Sequence, residues 1–234
     1  HRMLLRTALC ATVFAVVVIA AAAHPLGNFT INHFARLHVG RDRVVIHYVI
    51  DMAEIPAFQE FLRIDAAGDG KASDAELREY AGRAAASCEK AFMFSADGSA
   101  ISMRSLSAAA SMPPGAGGLA TLRLEGEIEA PLPAVVAGGV HRVRFEDESY
   151  PDRMGWRELV VTGDAGLSLF DSSAYATGLS DELRTYPEDS LASPLNERSA
   201  EFSLTHGAVP AGSKPLRSRD GKQVAGTRDR LAEL

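Results

Sequence analysis

The stretch FTINHFARLHV, residues 29–39, places Phe29, Ile31, His33, Ala35, Leu37 and Val39 on one face of an extended chain. Successive side chains of a strand point to opposite faces, so a period of two specifies a half-buried strand and argues against a helix. Gly40-Arg41-Asp42 breaks the run, and Val44, Ile46, Tyr48 and Ile50 resume it. The two segments read as an antiparallel hairpin. His33 falls on the apolar face and reads as a core histidine. If Val39 pairs with Val44, His38 and His47 become diagonal neighbours on one face, roughly 7–8 Å apart. They are either ordinary surface residues or part of a transition-metal site.

At Asp51 the period changes. Ile55, Phe58 and Leu62, with Phe61 beside them, recur at helical spacing. Pro56 suits the first position of such a helix, where its missing N–H costs nothing. Leu77, Ala81, Ala84 and Cys88 mark one face of a second helix over about 74–90. Ser73 followed by Glu76 forms a capping box at its start. Between the helices lies IDAAGDGKASDAE, residues 64–76.

Beyond residue 90, strands are expected at 91–95, 100–104, 119–129, 140–147, 157–162 and 199–205, with a Gly/Pro loop at 113–118. SDELRTY, 180–186, reads as one short helix. Residues 206–234 are polar and rich in Gly, Pro and basic residues, which reads as a linker without a core. The fold class is therefore mainly β with an inserted helix-loop-helix (α+β). It is an antiparallel β-sandwich-like domain over 24–205, with the insertion at 54–90.

Residues 8–23 form an apolar run flanked by Arg2 and Arg6 and ending in Ala21-Ala22-Ala23. It is short of the roughly 20 residues that span a membrane. Residues 1–23 read as a secretory signal peptide cut before His24, with an uncleaved anchor as the other reading. The chain is thus expected to be exported, on the periplasmic or extracytoplasmic side. Cleavage would remove Cys10 and leave Cys88 unpaired, so no disulfide framework is implied. The formal net charge is −6, which gives no basis for a nucleic-acid partner. No nucleophile elbow, zinc-protease helix, phosphate loop or dinucleotide fingerprint is present, and nothing in the sequence argues for an enzyme. Asp147, Glu148 and Asp152, near Tyr150, read as a solvated acidic loop.

The loop between the helices follows the register of a calcium-binding EF-hand, whose ligands stand at positions 1, 3, 5, 7, 9 and 12 with Gly at 6. Counting from Asp65, position 5 is Asp69, position 6 Gly70, position 9 Ser73 and position 12 Glu76. Lys71 at position 7 would offer its backbone carbonyl. Calcium is a hard cation that takes oxygen donors, which this set supplies. Ala67 at position 3 supplies none, so the expected affinity is weak, in the ~10⁻⁴ to 10⁻³ M class of extracellular modules. The other reading is a solvated Gly-rich turn that has lost its metal. A chain beginning at His24 would also pair a free amine with an imidazole, a donor set suited to a transition metal such as nickel, copper or zinc.

Four phrases in order, AHPLGNFTINHFARL, YVIDMAEIPAFQE, DGKASDAEL and YPDRMGWRELVV, resemble the N-terminal extracytoplasmic region of bacterial nickel/cobalt transporters of the exporter type. The resemblance covers residues 24 to about 205. It implies a periplasmic domain, with a polytopic membrane domain expected downstream of Leu234 to carry the ion path. None of the residues of such a path lies in this sequence, so none is carried over. The competing function is a stand-alone secreted calcium-binding module without a transport partner.

Overall fold

The computed structural model describes residues 25–132, 139–191 and 193–224. The hairpin forms as its alternation dictates, from β1 (Ile31–Val39) and β2 (Arg43–Met52), with Val39 opposite Val44. Then come helix α1 (Glu54–Ile64), helix α2 (Asp74–Ala91), β3 (Phe92–Ala96), β4 (Ser99–Ala100), β5 (Arg104–Ser111), β6 (Leu122–Pro131), β7 (Val140–Asp147), β8 (Arg157–Gly163), β9 (Ser168–Phe170) and β10 (Ser199–Thr205). Two five-stranded sheets result, in the orders β5-β6-β2-β1-β8 and β4-β3-β7-β10-β9. The protein is mainly β, with the two helices inserted between β2 and β3. Among the described residues every strand pair is antiparallel except β1 with β8, which run parallel. A purely antiparallel sandwich is therefore not what forms: β8 is reached by a long crossover, as a parallel neighbour requires.

One core fills the space between the sheets. Leu37, Ile46, Ile50 and Leu124 from the first sheet meet Phe94, Phe145, Phe202 and Leu204 from the second. Tyr48 stands edge-on to Phe92 at 5.5 Å, and Phe92 to Phe145 at 5.4 Å, a geometry that aromatic quadrupoles favour. A second apolar cluster covers the far side of β1, β2 and β8, where Phe34, Val49, Trp156 and Val160 pack with Leu183. Central strands are consequently buried on both faces, which is why Phe34 and Val49 break the alternation.

α1 starts at Glu54, two residues before Pro56, with Ala53 as a cap that offers no side-chain bond. First-turn N–H groups have no partner inside the helix, so proline is accommodated there. The face it buries holds Pro56, Ala57 and Ile64; the Phe58 and Leu62 stripe points outward, 49% and 65% exposed. α2 has the expected capping box, Ser73 with Glu76, and buries Tyr80, Ala81, Ala84, Ala85 and Cys88. β5, RSLSAAAS, carries little intrinsic strand preference and forms because β6 supplies its ladder.

Residues 180–186 are not a right-handed helix. Asp181, Glu182 and Leu183 adopt φ of 44°, 57° and 66°, a left-handed turn. Glu158 explains it: its buried carboxylate accepts the N–H groups of Leu179 and Ser180, and the Ser180 hydroxyl accepts Leu183 N–H at 3.1 Å. Residues 206–224 are likewise not a coreless linker. They form a strap in which Leu216 and Ser218 are buried, Leu216 N–H bonds Leu169 at 3.2 Å, and Arg219 lies 4.7 Å over the Tyr175 ring.

Candidate metal centre

The loop from Asp65 to Glu76 is built by two glycines and a helix cap. Gly68 and Gly70 sit at φ +69° and +78° with open space around each, so the demand for glycine there is conformational rather than steric. Asp65 ends α1, its N–H bonding Phe61 at 2.9 Å. Its carboxylate then folds forward and accepts Asp69 N–H at 3.1 Å and Gly70 N–H at 2.9 Å. Asp69 accepts Lys71 N–H at 3.0 Å. At the far end Glu76 reaches back across the loop, taking Ala67 N–H at 3.1 Å and Ser73 through both its N–H (2.9 Å) and its hydroxyl (2.7 Å). The Ser73 hydroxyl and N–H, with Ala67 N–H, hold the Glu76 carboxyl down to about 2, so it is ionised across the physiological range.

Asp65, Asp69, Lys71, Ser73 and Glu76 are therefore brought onto one exposed twelve-residue loop. Their carboxylates are each turned onto backbone N–H groups rather than onto a common point. Among the described residues, no group of three or more His, Cys, Asp or Glu side chains is arranged to hold a metal ion. The donor set still fits a hard cation. It is all oxygen, its anions face solvent, and the bonds it would exchange are ones that water can replace. Turning these carboxylates onto one point would require side-chain rotation at Asp65, Asp69 and Glu76.

His24 lies outside the described residues. His38 and His47 do sit diagonally across the hairpin, but other partners engage both. His38 meets Thr162 and Asp164 at 3.0 Å each, and His47 faces Glu182 at 3.8 Å.

A second cluster lies in the core, brought together by tertiary contacts that the sequence patterns do not announce. His33 Nδ1 meets Asp147 at 2.9 Å; Arg157 approaches the same carboxylate oxygen at 3.3 Å and donates to the Ser149 and Tyr150 carbonyls at 2.8 and 3.0 Å. The Ser149 hydroxyl donates to Asp147. All four side chains are buried. Burial pushes the His33 imidazole below its ordinary value, outweighing the pull of Asp147. Burial works to raise the Asp147 carboxyl, yet His33, Ser149 and Arg157 together hold it below the carboxylate range. Asp147 is thus not part of a solvated loop, although Glu148 and Asp152 are exposed. Parity was the available signal: in VHRVRFED, Asp147 shares a face with Val143 and Phe145, and in RELVV, Arg157 shares one with Leu159 and Val161. The arrangement is no nucleophile relay. Ser149 gives its proton to Asp147 and lies 3.3 Å from the same Nδ1 that Asp147 occupies, inside the core.

No protein-family model matches the chain, and no curated protein matches it. Among the described residues no helix is long and apolar enough to cross a membrane.

Proposed function

We propose that this chain is the extracytoplasmic domain of a nickel/cobalt-type transporter, and that its helix-loop-helix binds Ca²⁺ weakly as a structural clasp. The observation supporting calcium binding is the loop itself. Left-handed glycines stand at its fourth and sixth positions, Asp65 grips the turn from the first, and an ionised Glu76 spans it from the twelfth. Asp65, Asp69, Ser73 and Glu76, with the Lys71 carbonyl, would hold the ion. Bound calcium would join the end of α1 to the start of α2 and stabilise the domain by mass action. The missing oxygen at Ala67 sets the affinity at the weak end, ~10⁻⁴ to 10⁻³ M, matched to an environment rich in calcium.

The transport reading rests on the resemblance of residues 24 to about 205. Nickel or cobalt would be the cargo of the membrane domain. Calorimetric titration of the chain with Ca²⁺, beside a Glu76→Gln variant, tests the clasp; absence of heat at millimolar metal would overturn it. The coding sequence past Leu234 tests the transport reading. A frame that continues into several apolar spans of about 20 residues with histidine and acidic residues supports it. A stop codon there would favour the stand-alone secreted module.

A further inference from the structure

The strap over residues 213–219 runs along the end of the second sheet and closes an open cleft of about 520 Å³ with the turn after β9. Its backbone is fixed at several points. Asp171 N–H bonds the Lys214 carbonyl at 2.7 Å, Lys214 N–H returns to the Asp171 carboxylate at 2.8 Å, and Ala176 N–H bonds the Arg217 carbonyl at 2.9 Å. Leu216 and Ser218 point inward, so the alternation turns Arg217 outward to the cleft. Lys214 lines the same cleft.

The chain is acidic, and its strand arginines are matched: Arg43 and Arg104 with Glu129, Arg142 and Arg144 with Glu201, Arg36 with Glu182. Among the described residues, no carboxylate lies within ion-pair distance of the Lys214 or Arg217 side chain. The cleft's own carboxylates are engaged, Glu201 by two arginines and Asp171 by Lys214 N–H. Hydroxyl donors stand beside them. Ser173 Oγ accepts Glu201 N–H at 2.9 Å, which leaves its proton free to donate into the cleft. Tyr175 forms part of the wall, its ring backed by Arg219.

We infer that this cleft is a binding site for an oxyanion, with Lys214 and Arg217 as its charged donors and Ser173 as a neutral one. The cleft lining sets Arg142, Lys214 and Arg217 against Asp171 and Glu201, three cations to two anions, a net +1 on an otherwise negative molecule. A guanidinium fork and an ammonium are complementary to phosphate or carboxylate oxygens. Because the strap backbone is already ordered, binding has little ordering entropy to overcome. The size of the cleft admits either a free oxyanion or one carried on a small hydroxylated molecule such as a sugar phosphate.

The test is NMR or calorimetric titration of the chain, in metal-free buffer of low ionic strength, with inorganic phosphate and separately with a hexose phosphate. Saturable binding that weakens about tenfold or more in a Lys214→Ala/Arg217→Ala double variant, and falls with added salt, is the expected result. Both side chains are exposed, so the variant should keep its melting temperature, and a circular-dichroism melt checks that it does. Tighter binding of the hexose phosphate, reduced by Ser173→Ala, would identify a carried oxyanion. Equal affinity for the two would identify the free ion. Absence of saturation, or binding unchanged in the double variant, would overturn the site. Calcium is absent throughout, so this result stands apart from the fate of the calcium clasp.

Discussion

The loop at 65–76 and the His33–Asp147–Arg157 cluster use the same chemistry in opposite surroundings. In both, a carboxylate is surrounded by N–H and O–H donors. In the loop the donors are local, all within the one twelve-residue segment, and both partners face solvent. In the core the donors come from β1, from β8 and from the turn after β7, and all are buried. Such a buried charge cannot change partners without leaving another charge uncompensated, so its bonds are permanent. The loop carboxylates can exchange an N–H for water or a cation at little cost, which makes them suitable ligands. Position relative to the core, rather than residue type, separates the group that holds the fold from the group proposed to take a metal.

The sharpest way to break this contrast is to remove one charge from each side. Arg157→Met leaves Asp147 buried beside a neutral imidazole and should lower stability by about 3–5 kcal/mol in denaturant unfolding. Glu76→Gln, without calcium, should change it far less, because its carboxylate faces solvent. Comparable losses from the two would show that the loop holds the fold as firmly as the core does.

Acid should sharpen the contrast next. The ordinary imidazole value is 6.5, and His33 lies below it in the folded protein. Below pH 6.5 the unfolded chain therefore binds a proton that the folded chain refuses, and stability falls as pH drops, by up to about 1.4 kcal/mol per pH unit. Asp147, held below its ordinary 3.8, adds a further loss as pH falls through its folded value. Unfolding measured from pH 7 to 4 should show this slope, and His33→Gln should flatten it between pH 6.5 and 5.

Calcium should act on the loop alone. At tenfold over a dissociation constant of ~10⁻³ M it should raise stability by about 1.4 kcal/mol. The rise should vanish in Glu76→Gln and persist in Arg157→Met. Ser73→Ala, which removes the cap of α2, should cost about 1 kcal/mol without calcium.

What the sequence made legible were features fixed by local rules. The β1–β2 register follows from alternation and a tight turn, the capping box from Ser73 and Glu76, and the loop from its glycines and acidic spacing. What it hid depends on partners far along the chain. The left-handed turn at 181–183 exists because Glu158, buried against Trp156, captures Leu179 and Ser180. The outward face of α1 could not be told from its inward face, since Phe58 and Leu62 are apolar yet exposed while Glu54 is buried, bonded by Ala116 N–H at 2.8 Å. The strap at 206–224 has the composition of a linker, and within it only Leu216 and Ser218, set among polar residues, are buried.

The most direct measurement is calorimetric titration of the chain with Ca²⁺ at pH 7, run in parallel on Glu76→Gln. The clasp predicts a saturable heat in the millimolar range for the first and none for the second. No heat in the unsubstituted chain, or the same heat in both, would contradict it.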